Sequence, residues 1–297
     1  ELLQAVSLHQ RKNRKTQHYC LPLHDIAEIH APRRQIKSVP EVQRMKRAAE
    51  ITQAGFERVY AQLRPGMNER QVHGLLVGTY LENGADMEAY GTIVAGGANA
   101  CVLHYVNNNQ PLKDGDLLLI DAGAQFDYYA CDVTRTFPVG KKFSAEQRAL
   151  YEIVLQAQKN CIAEAKPGST LEGIHQTAVR SLVEGLLELK LLSGDVDKVI
   201  EDKDFTRFYP HGTSHWLGMD VHDMGIYRQN GEPIQLAEGM VFTIEPGLYV
   251  QPDDTDAPEA FRGIGIRVED DILITGTGHE VLTAGIPKEI HELEDRY

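Results

Sequence analysis

Sulfur, tryptophan and positive charge are all scarce in this 297-residue chain. The four cysteines, Cys20, Cys101, Cys131 and Cys161, stand far apart and make no CxxC pair. That spacing excludes a zinc ribbon and argues against a disulfide frame; they read as reduced thiols of a cytoplasmic protein. Lysine and arginine number 30 against 43 acidic residues, a formal net charge of −13, which excludes nucleic acid and anionic membrane surfaces as partners. The basic stretch QRKNRK at 10–15 is too short to reverse that and reads as a solvated segment. No apolar run approaches the roughly 18 residues of a membrane span, and the N-terminus lacks the pattern of a secretion signal.

What remains is a globular composition, 42% hydrophobic and 25% charged, with enough length to bury a real core. Residues 1–36 are mixed and begin at Glu1 without a methionine; they read as the tail of an N-terminal domain, or a linker, ahead of one domain over 37–297. Ser38-Val39-Pro40-Glu41 is a capping box with an early proline. Val42, Met45, Ala49, Thr52, Phe56, Val59 and Leu63 then recur at helical spacing until Arg64-Pro65-Gly66. Asn68 caps a second helix whose Val72, Leu75, Leu76 and Leu81 face inward, and Asn83-Gly84 stops it. A strand region follows over about 89–139, and then the order restarts. Ser144 opens a third helix running to Lys166-Pro167-Gly168, a fourth leucine-rich helix covers about 170–192, and strands return over about 205–275. LRPGMNERQVHG at 63–74 and AKPGSTLEGIHQ at 165–176 share Pro-Gly and His at an offset of 102 residues, with a glutamate nearby in each. We read a duplicated ααβ unit: an α+β domain of two pseudo-symmetric halves with a mainly antiparallel curved sheet, and a site where the halves meet.

The chemistry concentrates in HGTSHWLGMDVHD, residues 211–223, which holds three histidines and the only tryptophan. A helix would set His211 and His215 on one face, but Gly212, Thr213, Ser214 and Gly218 disfavour one. No glutamate follows the first histidine, so this is not an HExxH zinc helix. Strand and turn are the better reading, with His215 and His222 on opposite faces. Carboxylates supply the rest of a ligand set. Asp121 ends the apolar run LLLI, and a turn near Phe126–Tyr128 brings Asp132 opposite or diagonal to it. Glu245 lies in the apolar stretch MVFTIEPGLYV, where an unpaired carboxylate is expensive. In GIGIRVEDDILIT, Ile264, Ile266 and Val268 alternate with Arg267 and Glu269; alone, that pair would suit a solvent-facing strand. Four carboxylates and one histidine form an oxygen-rich set suited to manganese or a similar ion more than to structural zinc. Two such ions about 3.5–4 Å apart would polarise a carbonyl and generate hydroxide near neutral pH.

LIDAGAQFDYYACDVTRTFPV, HGTSHWLGMDVHDMG, FTIEPGLYV and GIGIRVEDDILIT, in this order, resemble the catalytic domain of the Xaa-Pro aminopeptidase (aminopeptidase P) family over roughly residues 38–285. That resemblance implies the pita-bread fold shared with prolidase and methionine aminopeptidase. It also implies release of the N-terminal residue from peptides with proline second, by attack of a metal-bridged hydroxide. It places two divalent ions, Mn2+ by expectation, on Asp121, Asp132, His215, Glu245 and Glu269, with Asp132 and Glu269 bridging. Glu245, His222 and His211 become the catalytic groups, and His104, His211, His222 and Arg267 the substrate-binding ones. Family members carry a further N-terminal domain that helps enclose substrate and build the oligomer, so a dimer or tetramer is expected of the full-length protein. Prolidase, confined to Xaa-Pro dipeptides, is the nearest alternative, whereas methionine aminopeptidase lacks the HWLGMDVHD run. A silent binding relative, or a metal-free creatinase-like enzyme, would show lost ligands; all five positions are filled.

Overall fold

The structure is a computed structural model and describes residues 25–140 and 142–294, together with Gln4. Cys20, the QRKNRK stretch and the rest of 1–24 apart from Gln4 lie outside the described residues. A short helix α1 (Ala27–Gln35) leads into the long α2 (Val39–Gln62). Ser38 caps α2 as the sequence anticipates, its backbone N–H donating to Glu41 at 2.7 Å. Met45, Ala49, Thr52, Phe56 and Val59 are buried along one face, the spacing an amphipathic helix requires. Helix α3 (Glu69–Glu82) is capped by Asn68 and buries Val72, Leu76, Thr79 and Tyr80. Leu81 departs from expectation and is exposed. At five residues beyond Leu76 it rotates off the stripe, and Tyr80, one helical turn on, takes the core position.

The second half repeats this plan. Helix α4 (Ala145–Glu164) is capped by Ser144, and α5 (Leu171–Glu188) by Thr170. Helix α5 stops short of residue 192, since Lys190 takes a left-handed φ of 59° just beyond it. Gly66 and Gly168, the two halves' matching Pro-Gly positions, both adopt φ 90°. A short α6 (Val196–Glu201) follows, and α7 (Ile290–Glu294) comes last. Among the described residues no helix is long and apolar enough to cross a membrane.

Among the described residues every strand pairing is antiparallel. In the first half β1 (Met87–Glu88), β4 (Ala124–Phe126) and β5 (Tyr129–Ala130) form one sheet, while β2 (Ile93–Gly96), β3 (Leu117–Asp121) and β6 (Thr134–Pro138) form another. A small ribbon, β7 (Arg228–Gln229) with β8 (Glu232–Pro233), precedes the second-half sheets. There β10 (Gly247–Val250) pairs with β11 (Ile264–Arg267), and β9 (Val241–Ile244), β12 (Asp270–Ile274) and β13 (His279–Val281) form a three-stranded sheet. The two halves share a device: a ribbon that breaks midway and hands its strands to a different sheet. The first break lies at 122–123 opposite 131–133, the second at 245–246 opposite 268–269. Gly123 makes the first possible, because a Cβ there would sit 1.6 Å from the Cys131 carbonyl oxygen. The turn at Asp127–Tyr128, with φ of 47° and 72°, closes the hairpin where the sequence places it.

A polar tie crosses the core behind the second break. Arg135, completely buried, donates to Asp270 at 2.7 Å and to the Ile286 carbonyl at 2.8 Å. Lys288 and Gln158 reach the other Asp270 oxygen at 2.6 Å each. Burial pushes the Asp270 carboxyl up, but Arg135 and Lys288 outweigh it and hold the pKa at about 2. Removing one partner strands a charge, so Arg135→Met is expected to cost about 3–5 kcal/mol. A lowered urea midpoint at unchanged slope would measure it; a midpoint equal to the parent's would refute it.

Candidate active site

The two breaks supply the carboxylates. Asp121 is the last residue of β3 and Asp132 lies in the crossing between β5 and β6, not within a strand. Glu245 follows the last residue of β9, and Glu269 occupies the single step where one strand run leaves β11 and enters β12. The histidine segment 211–223 is irregular; its one bridge is Trp216 to Phe242. The alternation expected of a strand is therefore wrong. His215 and His222 do not face apart; their rings stand 4.4 Å apart, edge to face, because the chain loops back after Trp216 and Asp223 N–H donates to the Trp216 carbonyl at 2.9 Å. Arg267 and Glu269 are buried, not solvent-facing, since the sheet switch turns both toward the other half.

These side chains line one cleft of about 490 Å3, Asp121, Asp132, His215, Glu245 and Glu269 among them. His104, His211, His222, Arg267, Leu103 and Val106 complete it. All nine residues singled out in the sequence thus come together. His215 Nε2 stands 3.3 Å from Asp132 Oδ2 and 3.5 Å from Glu245 Oε1. Arg267 donates to Asp121 Oδ2 at 2.6 Å, to the Thr134 hydroxyl at 3.0 Å and to the Tyr249 hydroxyl at 2.9 Å. Thr134 donates in turn to Glu269 at 2.6 Å. His211 Nε2 lies 2.9 Å from the same Tyr249 hydroxyl.

Three participants carry no functional signal in the sequence reading: Tyr90, Tyr249 and Thr134. The Tyr90 hydroxyl stands between the two carboxylates, 2.6 Å from Asp121 and within hydrogen-bond reach of Asp132, so its single hydrogen is shared between them. It lies in a loop with no periodicity to mark it. Thr134 has a signal in hindsight, sharing the period-2 face of Asp132.

Burial is the largest influence on the electrostatics, with charge crowding second. Burial pushes the Glu245 pKa up to about 7, opposed by His215 and Arg267. Burial, joined by Asp132 and Glu245, drives Glu269 well above the usual carboxylate range. Asp121 rises for the same reason, against the pull of Arg267. For His215, burial works downward, but the Asp132 hydrogen bond and the charges of Asp132 and Glu245 raise it to about 9. His211, buried beside Arg267, falls to about 3. Carboxylates forced to retain protons are the mark of a site short of cations. Asp132, His215 and Glu269 offer ligand atoms all within 4.8 Å of one another. The donors present fit hard divalent ions.

Residues 43–276 match the metallopeptidase family M24, and the chain belongs to that family, with its pita-bread fold. Its relatives narrow the class further. It is 46% identical over 262 residues to the Xaa-Pro aminopeptidase of Haemophilus influenzae, covering 88% of this chain and 60% of that protein. The Escherichia coli Xaa-Pro aminopeptidase is 46% identical over 261 residues, covering 88% and 59%. Among solved structures, Pseudomonas aeruginosa aminopeptidase PepP superposes with a TM-score of 0.90 at 43% identity, covering 99% of this chain and 67% of that one. The chain thus spans about 60% of the length of the curated relatives it matches.

The raised His215 pKa has a signed consequence. A histidine whose folded pKa exceeds its unfolded value near 6.5 stabilises the fold fully below that value and loses the effect as pH rises through the folded pKa. In metal-stripped protein, the excess stability of the parent over His215→Gln should be greatest near pH 6 and shrink as pH passes about 9. Urea midpoints at three pH values test it, and an excess that grows with pH would contradict the assignment.

Proposed function

We propose that this chain carries the catalytic domain, over 37–297, of an Xaa-Pro aminopeptidase that releases the first residue from peptides with proline second. One observation carries the reading: four carboxylates and His215, drawn from both halves, line one cleft together with three histidines and an arginine. The similarity to proteins named Xaa-Pro aminopeptidases supports the substrate class. Asp121, Asp132, His215, Glu245 and Glu269 would hold two divalent ions, which we assign as Mn2+. When bound, such ions polarise a carbonyl and acidify water.

The chain's own groups supply the rest. Glu245 takes the proton of the attacking water, its carboxylate placed on the cleft wall beside His215. His222 donates to the oxygen that gains charge in the tetrahedral state, a contribution of about 10²–10³ in turnover. His211 is held neutral by burial and Arg267, and it would meet substrate by exchanging one of its present hydrogen bonds, to the Gly212 carbonyl or the Tyr249 hydroxyl. A proline nitrogen bears no hydrogen once acylated, so its pocket needs no acceptor there; His104, His211 and Arg267 line it. Arg267 also orients Asp121. We read the protein as cytoplasmic, consistent with Cys101, Cys131 and Cys161 being free and buried, and its full-length form as a homo-oligomer, dimer or tetramer.

Two measurements decide the reading. Metal-reconstituted protein should carry close to two ions per chain. His215→Ala should lower that occupancy, whereas His222→Ala should keep the ions and lose most turnover. Ion loss confined to His222→Ala would reverse the two roles. Ala-Pro-Ala should be cleaved and Ala-Ala-Ala left intact. Equal rates would remove the proline assignment, and cleavage of Ala-Pro but not Ala-Pro-Ala would make the enzyme a dipeptidase.

A further inference from the structure

His222 is exposed and stands on an irregular stretch, with no strand or helix from Leu217 to Tyr227. A catalytic donor on such backbone has to be held from elsewhere. The holding group is the next residue. Asp223 is buried, and both of its carboxylate oxygens meet cations: Lys37 Nζ at 3.2 Å on one, and the Arg34 guanidinium on the other. Arg34 also reaches Asp220 at 2.8 Å. Between them in sequence, Gln35 exchanges two hydrogen bonds with the backbone of Ile226, at 3.2 and 3.3 Å. Gly218 leaves the space, since a Cβ there would fall 2.0 Å from Asp223 Oδ2. The Lys37 backbone N–H is anchored on the Gly239 carbonyl at 2.8 Å, just ahead of the strand leading to Glu245.

The side chains of Arg34, Gln35 and Lys37 thus grip the loop at 220, 223 and 226. They belong to α1 and its exit, ahead of the family match that begins at residue 43. A buried Lys–Asp pair is a poor source of stability but a good means of enforcing one arrangement. A pair of apolar side chains would fill the same space without fixing a direction.

We propose that α1 and Lys37 form a clamp that aims His222 into the cleft, with Asp223 as the positioning residue through which it acts. The inference rests on the role of His222 proposed above. It makes α1 a working part of the active site, so that a disturbance of α1 reaches His222 without touching the metal ligands.

The test uses the full chain with Lys37→Met, Arg34→Met and the charge-conserving Lys37→Arg. The first readout is amide exchange in metal-free protein. Asp223 and Ile226 should exchange faster in both Met variants, while Phe242, paired within β9 and β12, stays as in the parent. The second readout is turnover of Ala-Pro-Ala. A small misplacement of a catalytic group costs up to about 10²-fold, so kcat should fall toward that of His222→Ala with KM and metal content unchanged, and Lys37→Arg should recover most of it. Unchanged exchange at Asp223 and Ile226 would overturn the clamp. So would faster exchange throughout the chain with a matching fall in unfolding midpoint, which marks simple destabilisation. If the parent cleaves no Xaa-Pro peptide, the function proposed above fails, and the exchange readout alone decides the clamp.

Discussion

An excess of buried negative charge is the constraint on which the rest of this structure depends. Asp121, Asp132, Glu245 and Glu269 line one cleft, where Arg267 pairs with Asp121 and His215 stands between Asp132 and Glu245. Without further cations, the balance is struck by proton retention, with Glu245 held at about 7 and Glu269 also raised well above the usual carboxylate range, burial being the main cause for both. Such a cluster is costly to build and gains nothing as packing. Its cost is sensible only if the folded protein meets a partner of opposite charge, since binding to the folded state alone returns free energy to it. The carboxylates are in this sense a preformed demand for metal, and Arg267, Tyr90 and Thr134 keep it ordered.

The backbone meets that demand by interrupting its own sheets. A strand interior sends side chains alternately to two faces, so neighbouring residues cannot all point into one cleft. Breaking each ribbon midway frees that restriction. Asp121 and Asp132 sit at one break, Glu245 and Glu269 at the other, and the Glu269 N–H joins the Thr134 carbonyl at 3.1 Å to lock the two together. Behind them, Arg135 and Asp270 carry a buried pair that ties β6 to β12. Duplication supplies the economy: one ααβ plan, used twice, produces two broken ribbons whose breaks converge.

Much of this was legible in the residues because local chemistry wrote it there. Ser38, Asn68 and Ser144 cap helices through hydrogen bonds made within three residues, and the hairpin turn at Asp127–Tyr128 is equally local. Expensive carboxylates next to LLLI and within VFTIEPG announced the site for an energetic reason, independent of any motif. What stayed hidden depends on distant partners. Tyr90 gains its role only from carboxylates 31 and 42 residues away, and Arg135 resembles any strand arginine until Asp270 is placed beside it. The opposed faces expected for His215 and His222 failed because alternation presumes a strand, whereas the backbone between them folds back on itself.

The three histidines of that segment show that environment, more than residue type, divides the labour. His215 stands between Asp132 and Glu245, which outweigh burial and favour a positive partner at its position. His211 has burial and Arg267 against it, so it is kept neutral, hydrogen-bonding the Tyr249 hydroxyl. His222, exposed at its edge, is pushed downward by its partial burial and by His215, with Asp132 pulling the other way. Its ring packs edge to face on His215, and the buried Asp223 next to it ties its backbone to Lys37 and Arg34. On the roles proposed above, a ligand at His215 must be rigid and a substrate-facing donor at His222 must be reachable. The same thirteen residues satisfy both, by setting His215 against β9 and hanging His222 on a loop that α1 holds from behind.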